Sequence, residues 1–280
     1  AKERMMGAIL EQPYPPPFTL TKTWEYYTLK NLVAIDSFTT IQEAILWGQE
    51  NGNSGFNHRQ RADEELIRHK IEATIEAFPE LNYLQLLSQA TESILSKPDT
   101  ILRILQMPLS NILFWHLRPI FATKAFPARR TLEIGSGLGE MARLLSAIRK
   151  PEQITLVDLP VSLFFADVFL SVHFRNQVDY FSGDLHSRAK FVLVPITRLE
   201  EVSSLHYDLA FNCGGFQEMT REAIEYCCAY IVKTCDRFYS LNGRDTSLPL
   251  GGFRLEKEVL NPPMVIEDCS VDKETIWVRE

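Results

Sequence analysis

The chain has little of what marks several large classes of protein. Cysteine is scarce: Cys213, Cys227, Cys228, Cys235 and Cys269 are odd in number and all lie in the C-terminal half. Their spacing fits no zinc pattern, and Cys227 adjoins Cys228 within a helical run, so free, buried thiols in a reducing, cytoplasmic compartment are expected. Long apolar runs are missing too. The best candidate, residues 161–174, is short and interrupted by Asp167 and His173, so no membrane span is expected. No signal-peptide pattern is visible. Positive charge is in deficit, with 29 Lys and Arg against 36 Asp and Glu and a net charge of -7. That balance lacks the basic footprint of a nucleic-acid binder and argues against DNA or RNA as substrate. No internal repeat is apparent.

Glycine is sparse as well, 13 in 280 residues, yet three stand at every second position in Gly135-Ser136-Gly137-Leu138-Gly139. The run before them, Thr131-Leu132-Glu133-Ile134, reads as a buried strand. The run after, with Met141, Leu144, Leu145 and Ile148 on one face, reads as a helix. Strand, glycine turn and helix form the opening unit of a nucleotide-binding α/β fold, in which the turn lets a ligand approach the main chain and the helix start offers free N–H groups. Dinucleotide enzymes use G-x-G-x-x-G/A, whose third small residue lets the helix pack on the strand. Here the spacing is G-x-G-x-G and Glu140 holds the sixth position, which disfavours an oxidoreductase.

A second β-rich run, Ile154-Thr155-Leu156-Val157, ends in Asp158, 21 residues beyond Gly137. A carboxylate at a strand end at that distance can accept both hydroxyls of a ribose. It can equally cap the helix that starts at Leu159-Pro160. Further strands are expected over 178–183, 191–194, 207–213 and 237–241, helices over 161–174 and from about 217 to 233, and a closing antiparallel pair at 264–268 and 275–279.

Since the glycine motif begins only near residue 131, residues 1–120 are surplus to a cofactor domain spanning 121–280. They read as an α-helical extension: a proline-rich arm at 12–18, an aromatic stretch with Trp24, Tyr26 and Tyr27, then helical patterns over 39–49, 63–95 and 99–121. Between them, Asn51 to Arg59 is the most loop-like segment. Its Asn53, Phe56 and Arg59 can reach a ligand, although an ordinary exposed turn explains them equally.

Together the glycine turn with Glu133, the acid Asp158, the segment Val178 to Asp184 and the segment Tyr207 to Asn212 resemble, in order and spacing, the four motifs of the class I S-adenosylmethionine-dependent methyltransferases. The resemblance implies a Rossmann-like, mostly parallel sheet with an antiparallel last strand and S-adenosylmethionine as cofactor. It implies a cofactor site made of Glu133 (facing the methionine ammonium), Gly135, Ser136, Gly137, Gly139, Asp158, Leu159, Gly183, Asp184 (facing the adenine), Leu185 and Asn212. The helical extension would cover the substrate site and form a homodimer contact.

The segment Asn212-Cys213-Gly214-Gly215-Phe216-Gln217-Glu218-Met219 narrows the resemblance to bacterial sugar O-methyltransferases of polysaccharide and glycosylated-metabolite pathways. Their form here ends Ser-Phe-Gln-Glu-Met, so Gly215 departs from it. The run 157–160 and the loop 51–56 also fit that family. Methyl transfer is an in-line displacement that relies on positioning, but a sugar hydroxyl also needs a general base. Glu218 is the first candidate and His186 the second. Gln217, Asn53, Phe56 and Arg59 are expected at the acceptor. A divalent metal held by Asp184, Glu218 and Asn212 could replace the base. The alternatives are methylation of a phenol, amine or lipid, and a binding module without activity.

Overall fold

From residue 130 onward short runs of Leu, Ile, Val and Phe alternate with amphipathic stretches, and these become the strands and helices of a single sheet. The computed structural model describes residues 20–41, 43, 44, 47, 116–243, 246–260 and 272–280. Most of the expected 1–120 extension, including Asn53, Phe56 and Arg59, lies outside the described residues, as does the strand expected at 264–268.

Among the described residues the sheet has eight strands: β1 (Arg130–Ile134), β2 (Gln153–Asp158), β3 (Val178–Tyr180), β4 (Phe191–Pro195), β5 (Leu209–Cys213), β6 (Arg237–Gly243), β7 (Phe253–Leu260) and β8 (Asp272–Arg279). Their order is β3-β4-β2-β1-β5-β6-β8-β7, with every pair parallel except those of β8, which runs antiparallel to both β6 and β7. This is the Rossmann-like methyltransferase sheet expected from the sequence. Growth of the sheet away from β1 reverses between β2 and β5, and in open α/β sheets ligands bind at such a reversal, outside the carboxyl ends of the strands.

Helices cover both faces. On one, α1 (Lys22–Ser37), α2 (Arg118–Ala122), α3 (Glu140–Arg149) and α4 (Pro160–His173) pack Ile35, Ile120, Leu144, Leu145, Phe165 and Phe169 against Leu156, Phe211 and Tyr239. On the other, α5 (Arg221–Thr234) and the turn 196–202 pack Cys227, Ile231 and Leu199 against Leu132, Ile134, Val157 and Phe238. Each fully buried Leu, Ile, Val or Phe side chain among these contributes about 1.5–3 kcal/mol. Cys213, Cys227, Cys228 and Cys235 are free thiols, as anticipated, and the last three are buried.

Residues 22–37 are held against this body. Thr21 caps α1, its hydroxyl accepting the Trp24 N–H at 3.5 Å. At the other end Phe38 stacks on Phe164 of α4, with 6.4 Å between centroids, and Trp47 stacks on Phe165 at 6.3 Å. Further on, Arg118 of α2 donates from Nε to Glu274 Oε2 of β8 at 2.6 Å, with both side chains almost wholly buried.

Three local expectations are corrected. The strand placed at 178–183 is a three-residue edge, and the run 191–194 is the interior strand that pairs with β2. The uninterrupted Phe-Val-Leu-Val of β4 suits a position buried on both faces, which Val178-Asp179-Tyr180 does not. The helix placed at 217 begins at Arg221, because Thr220 caps it by accepting the Ala223 N–H, and residues 216–218 form a separate turn. Finally, β7 was not anticipated. Arg254, Glu256, Lys257 and Glu258 leave no apolar alternation, as suits an exposed edge strand that must not pair with strangers.

Candidate functional site

The strand ends of β1, β2 and β5 converge where the sheet reverses. At the end of β1 the turn needs backbone angles that side chains resist: Gly135, Gly137 and Gly139 have φ of 73°, 53° and 82°. The Gly135 N–H donates to Val157 O at 2.8 Å, which ties the turn to β2. A Cβ on Gly139 would stand 3.0 Å from Leu170 Cδ1 and 3.2 Å from Leu156 Cδ2, so the third glycine lets α3 close on β2 and α4. Gly139 precedes α3 without any side-chain cap, which leaves the first N–H groups of α3 without a capping side chain.

Glu133 is buried beside this turn, and its Oε2 has no hydrogen-bond partner. Burial, and then the nearby carboxylates of Asp158 and Glu140, push its carboxyl well above the usual range. Glu140 itself is neutralised by Arg143, with Nη2 to Oε1 at 2.6 Å and Nε to Oε2 at 2.7 Å, both side chains buried. Asp158 is half-buried at the end of β2. It accepts the Gly137 N–H at 2.7 Å through Oδ2 and the Leu159 N–H at 2.6 Å through Oδ1. Loss of solvent raises its pKa to about 6, against the pull of these two bonds and of one from Ser162. The first residue flanking α4 is Leu159, without a side-chain cap, so Asp158 serves the glycine turn rather than capping that helix.

On the far side, the loop after β5 folds against the glycine turn. A Cβ on Gly135 would lie 3.1 Å from Gly215 Cα, and one on Gly215 would lie 2.7 Å from Asn212 Nδ2 and 3.2 Å from Gly135 Cα. Asn212 is fully buried. Its Nδ2 donates to Ile134 O at 2.7 Å, and its Oδ1 accepts from Phe216 N at 3.0 Å and from Asn242 Nδ2 at 2.8 Å. Asn242 in turn accepts from the Phe216 and Gln217 N–H groups at 3.1 and 3.4 Å. This network holds the carboxyl ends of β1, β5 and β6 together. It also presents Gln217 and Glu218 to solvent, with Gln217 Oε1 accepting the Gly243 N–H at 2.9 Å. Glu218 is exposed in the turn 216–218 that follows β5. Partial loss of solvent and then the Asp158 carboxylate raise its pKa, while a hydrogen bond from Trp24 lowers it.

No protein-family model matches the sequence, and neither does any curated protein. Solved structures do resemble it. The pyocyanin biosynthetic protein PhzM is 17% identical, with a TM-score of 0.44 over 80% of this chain and 76% of PhzM. TrmK of M. capricolum, solved in complex with S-adenosyl-homocysteine, is 13% identical, with a TM-score of 0.41 over 58% of this chain and 68% of TrmK. The methyltransferase domain of bacterial CtHen1 is 14% identical, with a TM-score of 0.43 over 56% of this chain and 93% of that domain. The likeness is one of fold.

Of the residues anticipated from sequence, the structure gathers Glu133, the glycines with Ser136, Asp158, Leu159, Asn212, Gln217 and Glu218 around the reversal point. Gly183, Asp184 and Leu185 follow the edge strand β3, which β4 separates from β2; Asp158 is in register with Pro195 of β4. Asp184 is exposed and accepts the His186 N–H at 2.8 Å, and His186 is itself exposed. The amide of Asn212, suggested as a metal ligand, is spent on Ile134, Phe216 and Asn242. Among the described residues no group of three His, Cys, Asp or Glu is arranged to hold a metal ion. Sequence reasoning passed over Asn242 and the contact of Gly135 with Gly215, neither of which leaves a signal in the local pattern.

Proposed function

We propose that the chain is an S-adenosylmethionine-dependent O-methyltransferase acting on a sugar hydroxyl. The observation that carries this reading is Glu133: a buried carboxylate with an unpartnered oxygen, set beside a glycine turn that side chains could not occupy. Such a group is completed by a cation, and the ammonium of a methionine moiety supplies one. Gly135, Ser136, Gly137 and Gly139 offer main chain to the same ligand. Asp158 holds the ribose hydroxyls, with Leu159 beside it, and Gly183, Asp184 and Leu185 serve the adenine end. Asn212 supports the site through the backbone it binds. S-adenosylmethionine supplies a methyl group on a sulfonium, already activated for displacement.

The rest falls to this chain's own side chains. Glu218 takes the proton of the acceptor hydroxyl, helped by a carboxyl whose pKa is raised toward working pH. His186, exposed and following the edge strand β3 at the far side of the sheet from β5, is the weaker candidate. Gln217 faces the acceptor, joined by Asn53, Phe56 and Arg59 of the N-terminal segment. A soluble sugar or glycan and a homodimer complete the reading.

The deciding experiment is thermal unfolding with S-adenosylhomocysteine, with NADH as control. At a hundredfold excess over its dissociation constant a ligand specific to the folded state adds about 2.7 kcal/mol, a rise of roughly five degrees for a chain of this size. A rise with S-adenosylhomocysteine alone is expected. No rise at saturation removes the proposal. An acceptor panel then separates sugars from phenols, which ionise more readily and depend less on Glu218.

A further inference from the structure

The loop after β3 is held by a side chain from outside it. β3 ends at Tyr180, in register with Leu193 of β4, and the Phe181 N–H then donates to Leu193 O at 2.9 Å. Phe181 is buried in the core on the α5 face, where Leu185 also packs, so the loop is anchored at both of its apolar ends. Between them Gly183 has a φ of 102°, and a Cβ there would meet nothing within 4 Å. The backbone angle alone demands glycine, and the space beside it is open. Asp184 is exposed next to it, its Oδ1 accepting the His186 N–H at 2.8 Å. Arg198 closes the base of this loop. It lies in the turn 196–202 that leaves β4 at Pro195, the residue in register with Asp158. Its Nη1 donates to Phe181 O at 2.8 Å, and its guanidinium stands 4.9 Å from the centroid of the Phe181 ring. Its Nε and Nη2 both donate to Glu201, at 2.7 Å each, which fixes the fork in one orientation. One side chain thus joins the strand end that flanks Asp158 to the loop that carries Asp184.

We infer that Arg198 is a positioning residue of the adenine end, its grip on the Phe181 carbonyl and ring fixing where Gly183 and Asp184 stand relative to Asp158. β4 intervenes between β2 and β3, so the two acids do not follow neighbouring strands. The turn 196–202 is the connection that spans them at the carboxyl ends. A carboxylate accepts from an exocyclic amino group and repels a carbonyl oxygen, so the place of Asp184 governs which purine base is taken. A lysine at 198 reaches the carbonyl or Glu201 but has no fork to serve both. As regards the base, this deepens the methyltransferase reading and rests on it; the grip of Arg198 on the loop does not.

The test has two arms, both on the full chain. In the first, isothermal titration compares S-adenosylhomocysteine with S-inosylhomocysteine, in which an oxo group replaces the 6-amino group. The native protein is expected to prefer the adenine form by about tenfold or more. Arg198→Met is expected to cut that ratio to about threefold or less, with Arg198→Lys in between. A ratio unchanged in Arg198→Met, even where both affinities fall, marks a general weakening and overturns the inference. So does a native protein that takes both bases equally. In the second arm, hydrogen exchange of the Phe181 and His186 amides is expected to quicken in both variants, while that of the Gly135 amide, bonded to Val157 O, stays unchanged. Exchange that quickens equally at all three, or at none, overturns it as well. Where Arg198→Met does not fold, Arg198→Lys carries both comparisons. If the methyltransferase reading itself fails, the native protein binds neither compound and the exchange arm decides alone.

Discussion

A buried acid without a partner is costly to fold around, and Glu133 shows where the cost falls. Its pKa is raised well above the usual 4.5, chiefly by burial. The folded chain therefore retains a proton that the unfolded chain releases. The favourable contribution is complete below about pH 4.5 and is lost as pH rises through the folded value. Asp158 adds the same sign, from 3.8 to about 6, so its share fades between about pH 4 and pH 6. Stability of the ligand-free protein should thus fall with rising pH, and Glu133→Gln should flatten that fall and melt higher than the native chain at pH 8. The same variant should lose the S-adenosylhomocysteine shift. Thermal unfolding from pH 5 to 8 checks both, and parallel slopes would refute the account. At this scale the sequence was informative about geometry: the glycine turn and the strand ends carrying Glu133 and Asp158 are local patterns, while a role for Glu133 came from the resemblance. Asn242 was not legible, since nothing local links its amide to that of Asn212 on another strand.

Between elements, the loop after β5 meets the turn after β1 glycine against glycine. The φ of Gly215 is -74°, open to any residue, so the bar to a side chain there is steric and comes from Asn212 and Gly135. Gly215→Ala should therefore destabilise by about 1–3 kcal/mol, with backbone shifts in both loops. A lowered denaturant midpoint at constant slope measures it, and an unchanged midpoint would show that the loops part freely. The serine of the resembled family would meet the same obstacle, so this chain brings its two loops closer than a side chain at 215 permits. Strand identity was partly readable. The apolar run of β4 identifies an interior strand on its own terms, but the segment before it resembled a known motif more closely and drew the third strand there. Charged β7 had no apolar pattern to read.

At the scale of the whole molecule α2 is tied to β8, on the far side of β1, by an ion pair, Arg118 with Glu274, both side chains buried. Removing one partner strands the other charge. Arg118→Met should destabilise by about 3–5 kcal/mol, and the double change with Glu274→Leu should recover most of it, as breaking a buried pair is worse than replacing it. Chemical denaturation of the three variants decides, and simple additivity would refute the coupling. An attachment of this kind cannot be read from sequence, since the pair is separated by 156 residues.

The place of β8 has a consequence for biosynthesis. It is made after β7 yet lies between β7 and β6. While a nascent chain has reached only residue 260, β7 has not yet met β8 and Arg118 lacks Glu274. The sheet from β3 to β6 can assemble as it emerges, but it must keep its β6 edge open for a strand still being translated. Completion of the fold, and release from whatever shields that edge, therefore awaits residues 272–279. A ribosome stalled short of them holds a protein with its glycine turn formed and the tie from α2 to β8 unmade.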